Sequence, residues 1–322
     1  MDEALLGSVA ATTLRMATPL ILCALAGLMS ERSGVVDIGL EGKLLMAAFA
    51  AAAAGVATGS LVLALAAAVA VSVALSMLHA FACVSHAGDQ VVSGVAINII
   101  AAGLTVVLGI AWFREGGQTP PVPEAVRLRP LWDGAAQALS GLPWVGPLLG
   151  AGLLGHDAMV YVAFALVAAA WWMLYRTRAG LRLRAVGENP AMVDAAGVSV
   201  QRLRYAALAA NGVLCGLAGA YLALAQSAAF TPQMSAGRGF MALAALIFGK
   251  WRPIGAMVAC LLFGVLDACA ILLQGVPLPG VGEVPVQLIQ ALPYVMTVVL
   301  LAAFVGRAEV PRALGVPYQK ER

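Results

Sequence analysis

Long apolar runs broken by short polar punctuation dominate the chain, and the spacing of the runs predicts its architecture. Runs near 6–28, 35–58, 61–85, 91–113, 158–175, 205–225, 235–249, 254–274 and 287–305 predict nine membrane spans, with eight to ten compatible with the pattern. Most approach the ~20 apolar residues needed to cross a hydrocarbon core of about 30 Å. Lipid offers no partner to backbone N–H and C=O groups, so spans of this kind must be helices. The predicted fold class is all-α, a polytopic transmembrane helical bundle forming a single domain over 1–322. The run 235–249 is short and 35–58 carries glycines at its start, so either is a candidate for a broken or re-entrant helix.

Composition strengthens this reading. The chain is 62% apolar and only 11% charged, with a mean hydropathy of +0.93, whereas soluble domains carry about a quarter charged residues. The first run follows the acidic stretch "MDEALL" without a basic leader region or a small-residue cleavage site, which predicts a retained first helix.

Charge in the loops sets orientation. Residues 176–204 hold Arg176, Arg178, Arg182, Arg184, Arg202 and Arg204 against Glu188 and Asp194, and the tail after 305 adds Arg307, Arg312, Lys320 and Arg322. The positive-inside rule places both segments in the cytoplasm. Four expected spans separate them, an even number, so the two placements agree, and Lys250 and Arg252 fall on the same side. The segment 114–157 is then an external loop. Its Pro120, Pro121, Pro123, Trp132, Pro143 and Trp144 suit an ordered connection with interfacial aromatics. The amino terminus lies outside as well. A weak echo between "LRMATPLILCALAG" (14–27) and "LRYAALAANGVLCGLAG" (203–219), on helices expected to run in opposite directions, suggests an inverted repeat.

Several chemistries are excluded. The net charge is +3 and the basic residues form no continuous stripe, which argues against nucleic acid. Cys23, Cys83, Cys215, Cys260 and Cys269 sit in or beside apolar runs without a CxxC pair, and His79, His86 and His156 are scattered, so no metal or other cofactor is expected. The chain has no GxxxxGK[ST] phosphate loop, no nucleophile elbow and no HExxH motif. It is expected not to be an enzyme; ATP hydrolysis would belong to another chain.

The stretch "RLRAVGENPAMVDAAGVSVQRLR" (182–204) interrupts the apolar pattern. Asn189 is a favourable N-cap and Pro190 fits the first helical position, where a missing N–H costs nothing. Gly197 supplies a left-handed C-terminal stop. These signals predict a helix of about two turns, too short to persist alone in water. It is expected to expose Val186, Met192, Val193 and Val198, either packed on its own bundle or as a docking helix for a cytoplasmic subunit.

These residues bring out a family resemblance. "SERSGVVDIGLEGKLLMAAF" (30–49), "DQVVSGVAINIIAAGLT" (89–105), "RTRAGLRLRAVGENPAMVDAAGVSV" (176–200), "GLAGAYLAL" (216–224) and "GRGFMALAALIFGKWRPIGA" (237–256) resemble the permease subunits of ABC importers for simple sugars and nucleosides. That family lies within the larger group of ribose and branched-chain amino acid permeases. The resemblance spans nearly the whole chain and favours the nucleoside branch, although Asp37 stands where that branch would be expected to carry asparagine. It implies a type II-like importer permease in a bacterial inner membrane. The implied partners are a second permease, identical or homologous, two ABC ATPase subunits and an extracytoplasmic substrate-binding protein. By motif match the coupling helix to the ATPase is 188–197, with Gly187, Glu188, Asn189, Pro190, Met192, Asp194 and Gly197 as its residues.

Polar groups within lipid are expensive and therefore informative. Asp37 and Glu41 share one helical face near the inner end of the second span, with Arg32 and Lys43 as available partners, and a structural role is favoured. Gln90 and Asn98 fall in the fourth span, Asn211 and Gln226 in the sixth, and Asp267 is the most isolated acid within a span. Neutral amides suit sugar hydroxyls and purine edges without burying an ion. Asn98 and Asn211 are the preferred substrate-pathway contacts, with interhelical bonding as their alternative role. Gly212, Gly216 and Gly219 recur at helical spacing and predict close helix packing. Arg114, Arg127, Arg129 and Arg238 are candidates for contact with a binding protein, or with headgroups and solvent. The rival from another class is an ion- or proton-coupled carrier using Asp37, Glu41 and Asp267.

Overall fold

The computed structural model describes residues 3–132, 150–272 and 310–320, with isolated positions in the two intervals between them. The expected ninth span, 287–305, and Pro143 and Trp144 of the long loop lie outside the described residues.

Ten helices organise the rest: α1 (Glu3–Arg32), α2 (Leu40–Thr58), α3 (Leu61–Ala80), α4 (Gln90–Phe113), α5 (Ala158–Arg176), α6 (Arg178–Glu188), α7 (Pro190–Ala195), α8 (Val200–Tyr221), α9 (Arg238–Phe248) and α10 (Pro253–Leu272). A π-helical turn prolongs α3 through Phe81–Ser85 and another prolongs α8 through Leu222–Gln226. Seven of these elements are long and apolar enough to cross a membrane. The seventh expected crossing, 235–249, is α9, whose 11 residues extend only about 16 Å, about half of a hydrocarbon core. Residues 33–39, which include the first five positions of the expected second span, are not helical. Of the two candidates for broken helices, the second span is non-helical at its start and the seventh is short, and each leaves a helix N-terminus inside the bundle. A two-residue antiparallel ladder, Pro277–Leu278 with Gly282–Glu283, is the only regular strand pairing among the described residues.

Local signals start most helices as the sequence leads one to expect. Ser60, Asp89, Asp157, Thr177, Asn189 and Ser199 each cap a first turn with a side-chain oxygen. The helices α1, α2 and α8 form the centre: 78% of the α8 span is buried, against 22% for α3 and for α4. The outer helices turn apolar side chains such as Val62 and Ile99 outward, as a lipid-facing surface requires.

Two ends of the bundle are defined by contacts across the chain. At the basic end, Arg32 donates from Nε (2.9 Å) and Nη2 (2.7 Å) to the Trp251 carbonyl, and the amide of Ala313 donates to the Gly187 carbonyl at 2.8 Å. At the other end, the amides of Thr119, Val122 and Leu128 donate to the carbonyls of Phe230, Ala228 and Leu224, folding the loop after α4 over the end of α8. Arg15 lies level with Gln226, and Ala26 with Asn211. The echoing helices α1 and α8 therefore pack antiparallel.

The glycine row is where α8 meets its neighbours. A Cβ at Gly212 would stand 2.6 Å from the Cα of Val73, one at Gly216 2.6 Å from the Cα of Val69, and one at Gly219 2.5 Å from the Leu44 carbonyl oxygen. Gly216→Val is expected to force α8 away from α3 and to cost about 1–3 kcal/mol, read as a lower melting temperature of the detergent-purified protein.

Candidate functional site

The interrupted start of α2 is held by a buried polar cluster. Asp37 and Lys43 are both fully buried and form an ion pair. Lys43 Nζ also donates to Asn211 Oδ1 at 3.1 Å, which accepts a second bond from Ser76 Oγ at 3.1 Å, while Asn211 Nδ2 donates to the Ala26 carbonyl at 3.0 Å. The ring of His79 bonds to the Val36 carbonyl (3.0 Å) and to Ser93 Oγ (2.9 Å). One cluster thus ties α1, α2, α3, α4 and α8 to the non-helical turn 33–39. Of the two carboxylates expected to share a face, only Asp37 belongs to it, and its partner is Lys43 rather than Arg32.

Glu41 serves a different helix. The first turn of α9 begins at Gly237, which adopts a left-handed φ of 78° and provides no side-chain cap. Glu41 replaces that cap from α2: Oε1 accepts from the Gly237 amide at 2.8 Å and Oε2 from the Gly239 amide at 2.6 Å. A carboxylate at a helix N-terminus meets both free N–H groups and the positive end of the dipole. Asn98 performs the matching task for α2. Its Oδ1 accepts from the Gly42 amide at 2.7 Å and its Nδ2 donates to the Ile38 carbonyl at 3.0 Å.

Between these two half-buried helix starts opens a cavity of about 500 Å³. Glu41, Asn98, Gln233 and Ser235 supply its polar wall, and Leu45, Val95, Ile99 and Phe240 its apolar wall. The segment entering α9 is conformationally demanding, since Ala228, Gln233 and Ala236 all have positive φ without being glycine. Such strain persists only where surrounding contacts over-determine the backbone. The sequence reading does not single out Gln233 and Ser235; the signal available is the polar punctuation "FTPQMSAGRG" (230–239) leading into the expected span 235–249.

The other pathway candidates are dispersed. Asn211 is fully buried within the cluster. Gln90 is also buried and accepts from the Val36 amide at 2.7 Å. Gln226 donates to the Arg15 carbonyl at 2.7 Å at the end opposite the basic one. Asp267 is half-buried on α10 and does not line the cavity. Only Asn98 among these five does.

The four arginines also separate. Arg114 is exposed at the left-handed C-cap of α4. Arg127 Nε donates to the Val122 carbonyl at 3.0 Å, and Arg129 pairs with Glu124 at 2.9 Å on the surface. Arg238 Nη1 donates to the Met234 carbonyl at 2.9 Å. Nearby, Asp157 caps α5 by accepting from the Met159 amide at 2.9 Å; burial pushes its carboxyl up and the adjacent His156 imidazole down.

At the basic end, the short helix forms where capping predicts it. Asn189 accepts from the Met192 amide at 3.1 Å, Pro190 opens α7, and Gly197 has φ +77°. One expectation is corrected. Val186 is fully buried and Val193 nearly so, packed with Val200 and partly covered Val198, because the helix folds these valines against α6 and α8; only Met192 stays exposed, at 69%. The tail braces this unit. Tyr318 Oη donates to Asp194 Oδ2 at 3.1 Å, and Lys320 lies 3.3 Å from the same carboxylate. Glu188 is exposed, while Gly187 is so close to α1 that a Cβ would sit 2.3 Å from the Arg32 carbonyl oxygen.

A central helix trio, two helices that begin inside the bundle, and a cavity between those starts define a polytopic helical membrane protein. Residues 9–303 match the family described as "Branched-chain amino acid transport system / permease component", and the chain belongs to that family. It is 37% identical to the nucleoside ABC transporter permease protein NupC of Lactococcus lactis, covering 98% of this chain and 97% of that protein. It is 38% identical to the guanosine ABC transporter permease protein NupQ of Bacillus subtilis, covering 98% of each. A solved structure of an ABC transporter assigned to the metal-chelate type, in an inward-facing conformation, aligns with a TM-score of 0.51 at 16% identity over 92% of this chain and 85% of that one, a likeness of fold. The protein is a multi-pass inner-membrane permease.

Proposed function

We propose that the chain translocates nucleosides as the membrane subunit of an ATP-driven importer. The observation that carries this reading is the near full-length likeness to two nucleoside permeases. The cavity is chemically compatible: a nucleoside is neutral, presents hydroxyls and base edges to amides and hydroxyls, and offers a flat apolar face to Phe240 and Ile99. In this reading 176–204 is cytoplasmic and 114–157 external. ATP is hydrolysed by separate ABC subunits, a second permease completes the pathway, and a binding protein delivers substrate at the external end, where Arg114 and Arg129 are the exposed ones among the candidate arginines. The helix α7 docks on the ATPase through Met192, and Asp194 holds it to the tail. ATPase closure moves α7 and shifts the balance between inward and outward access.

The test is reconstitution with the ATPase and binding protein in vesicles. Uptake of labelled nucleosides and of simple sugars is compared, with and without ATP and with the proton gradient dissipated. ATP-dependent nucleoside uptake is expected; uptake without ATP that collapses with the gradient would replace this reading with an ion-coupled carrier. In the same assay Gly197→Leu, which places a side chain at a left-handed position, and Met192→Asp are each expected to lower uptake by about tenfold, equivalent to ~1.4 kcal/mol of coupling, while ATP hydrolysis continues. Undiminished uptake in both would remove α7 from the coupling role.

A further inference from the structure

At the basic end, outside the cavity already described, lies a larger cleft of about 1040 Å³. Arg32, Arg176, Arg184, Lys250 and Arg252 line it, against the single acid Glu188. Two of the guanidiniums are held over aromatic rings: Arg184 lies 5.0 Å from the Tyr175 ring centroid and Arg176 5.8 Å from that of Trp171. Stacking fixes a guanidinium plane while leaving its N–H edge available to an anion. The Nε of Arg184 is buried without a hydrogen-bond partner, so this guanidinium meets a ligand in the cleft through its terminal amino groups alone. On the opposite wall, Lys250 and Trp251 both adopt left-handed φ angles, 52° and 51°, although neither is glycine. That turn is locked by the two Arg32 bonds to the Trp251 carbonyl and by Trp251 Nε1 donating to Glu31. It presents Lys250 and Arg252 exposed at the rim. Convergent cations held by strained backbone and stacked rings form a prepared anion site.

The position of the cleft identifies the anion. Trp171, Tyr175 and Ile254 belong to membrane spans, so the cleft straddles the interface rather than lying beyond it. Its surroundings continue into exposed apolar side chains, Trp172 and Leu181 at 60% exposure and Ile254 at 50%. Phosphate-sized charge on one side and acyl-compatible surface on the other is the signature of a phospholipid headgroup site, and aromatic residues are favoured at that depth. We propose that this cleft binds the headgroup of an anionic phospholipid of the inner leaflet, with Arg184, Lys250 and Arg252 as principal contacts. The assignment rests on the cytoplasmic placement of the basic end, though not on the transported substrate. The bound lipid neutralises cations beside Gly187 and Glu188, and so joins the end of α1, the α5–α6 corner and the turn before α10 next to the docking helix.

The experiment uses the intact importer complex in detergent, titrated with phosphatidylglycerol and separately with phosphatidylcholine, with bound lipid counted by native mass spectrometry. Wild type is expected to retain phosphatidylglycerol in preference to phosphatidylcholine. The double variant Lys250→Gln/Arg252→Gln is expected to lose about fivefold in phosphatidylglycerol affinity per cation removed, with phosphatidylcholine binding and melting temperature unchanged. Arg202→Gln, at an exposed position outside the cleft, should match wild type. Equal phosphatidylglycerol affinity in wild type and double variant overturns the proposal. So does full displacement of the lipid by inorganic phosphate, which would make the cleft a soluble-anion site. Loss of the ATPase subunits from the double variant with lipid binding intact would assign the surface to protein docking instead. All three readouts are independent of nucleoside uptake, so failure here is distinct from failure of the transport assignment.

Discussion

Lys43→Met is expected to destabilise the folded bundle by about 3–5 kcal/mol. Lys43 and Asp37 are both fully buried, and removing the ammonium leaves an uncompensated carboxylate among α1, α2, α3 and α8. The remaining neighbours are inadequate substitutes. The Gly39 amide donates to Oδ1 at 3.1 Å, and the His79 ring stands 4.0 Å away. Asn211 also loses one of the two donors on its Oδ1. The cost is therefore that of an unpaired buried ion, well above that of a lost interhelical hydrogen bond, which is about 0.6 kcal/mol in a membrane. Asp37→Asn added to Lys43→Met removes the stranded charge, so the double variant should melt above the Lys43→Met single variant. Melting curves of the four proteins in detergent give the coupling directly. Additive losses would mean that the two charges do not depend on one another.

Glu41→Ala is expected to lower substrate uptake by at least about tenfold while leaving most of the protein folded. Two charge-assisted hydrogen bonds end on this carboxylate, each worth about 1.5–3 kcal/mol. Both amides belong to the start of α9, which has no cap of its own. Because the cavity is open beside them, water can satisfy the freed N–H groups, and global stability should fall less than in Lys43→Met. What is lost is the fixed distance between α2 and α9, hence the shape of the wall formed by Gln233, Ser235 and Phe240. Glu41→Gln keeps one acceptor for one of the two amides and should retain intermediate uptake. Uptake equal to wild type in Glu41→Ala would show that this wall does not shape the pathway. The measurement is ATP-driven uptake in vesicles, paired with a melting curve for each variant.

These two glutamate and aspartate roles illustrate how far linear reading reaches. Spacing placed Asp37 and Glu41 on one helical face and suggested a structural role, yet the turn 33–39 is not helical, so the two carboxylates face different partners. No local pattern could reveal that Glu41 caps a helix nearly two hundred residues later. The amides show the same divide. Their cost in lipid made Asn98 and Asn211 conspicuous, but whether each ends in a sealed cluster or on a cavity wall depends on which helices surround it. Gln233 and Ser235 escaped notice because they sit between two expected spans and at the very start of the second, where polar residues read as an ordinary connection, whereas the backbone there enters the bundle unwound.

The sequence by itself determined the membrane class, the positions of seven of the expected spans and the short capped helix at 190–195. Hydropathy period, N-cap oxygens, Pro190 and Gly197 act over a few residues and need no distant partner. Tertiary structure alone decided the rest: the burial of Val186 and Val193 that leaves Met192 exposed, the Asp37–Lys43–Asn211 cluster, the cavity between two internal helix starts and the basic cleft beneath them. Each of these depends on side chains far apart in the chain meeting at low dielectric, where a polar group is either expensive or strongly held according to the neighbour it finds.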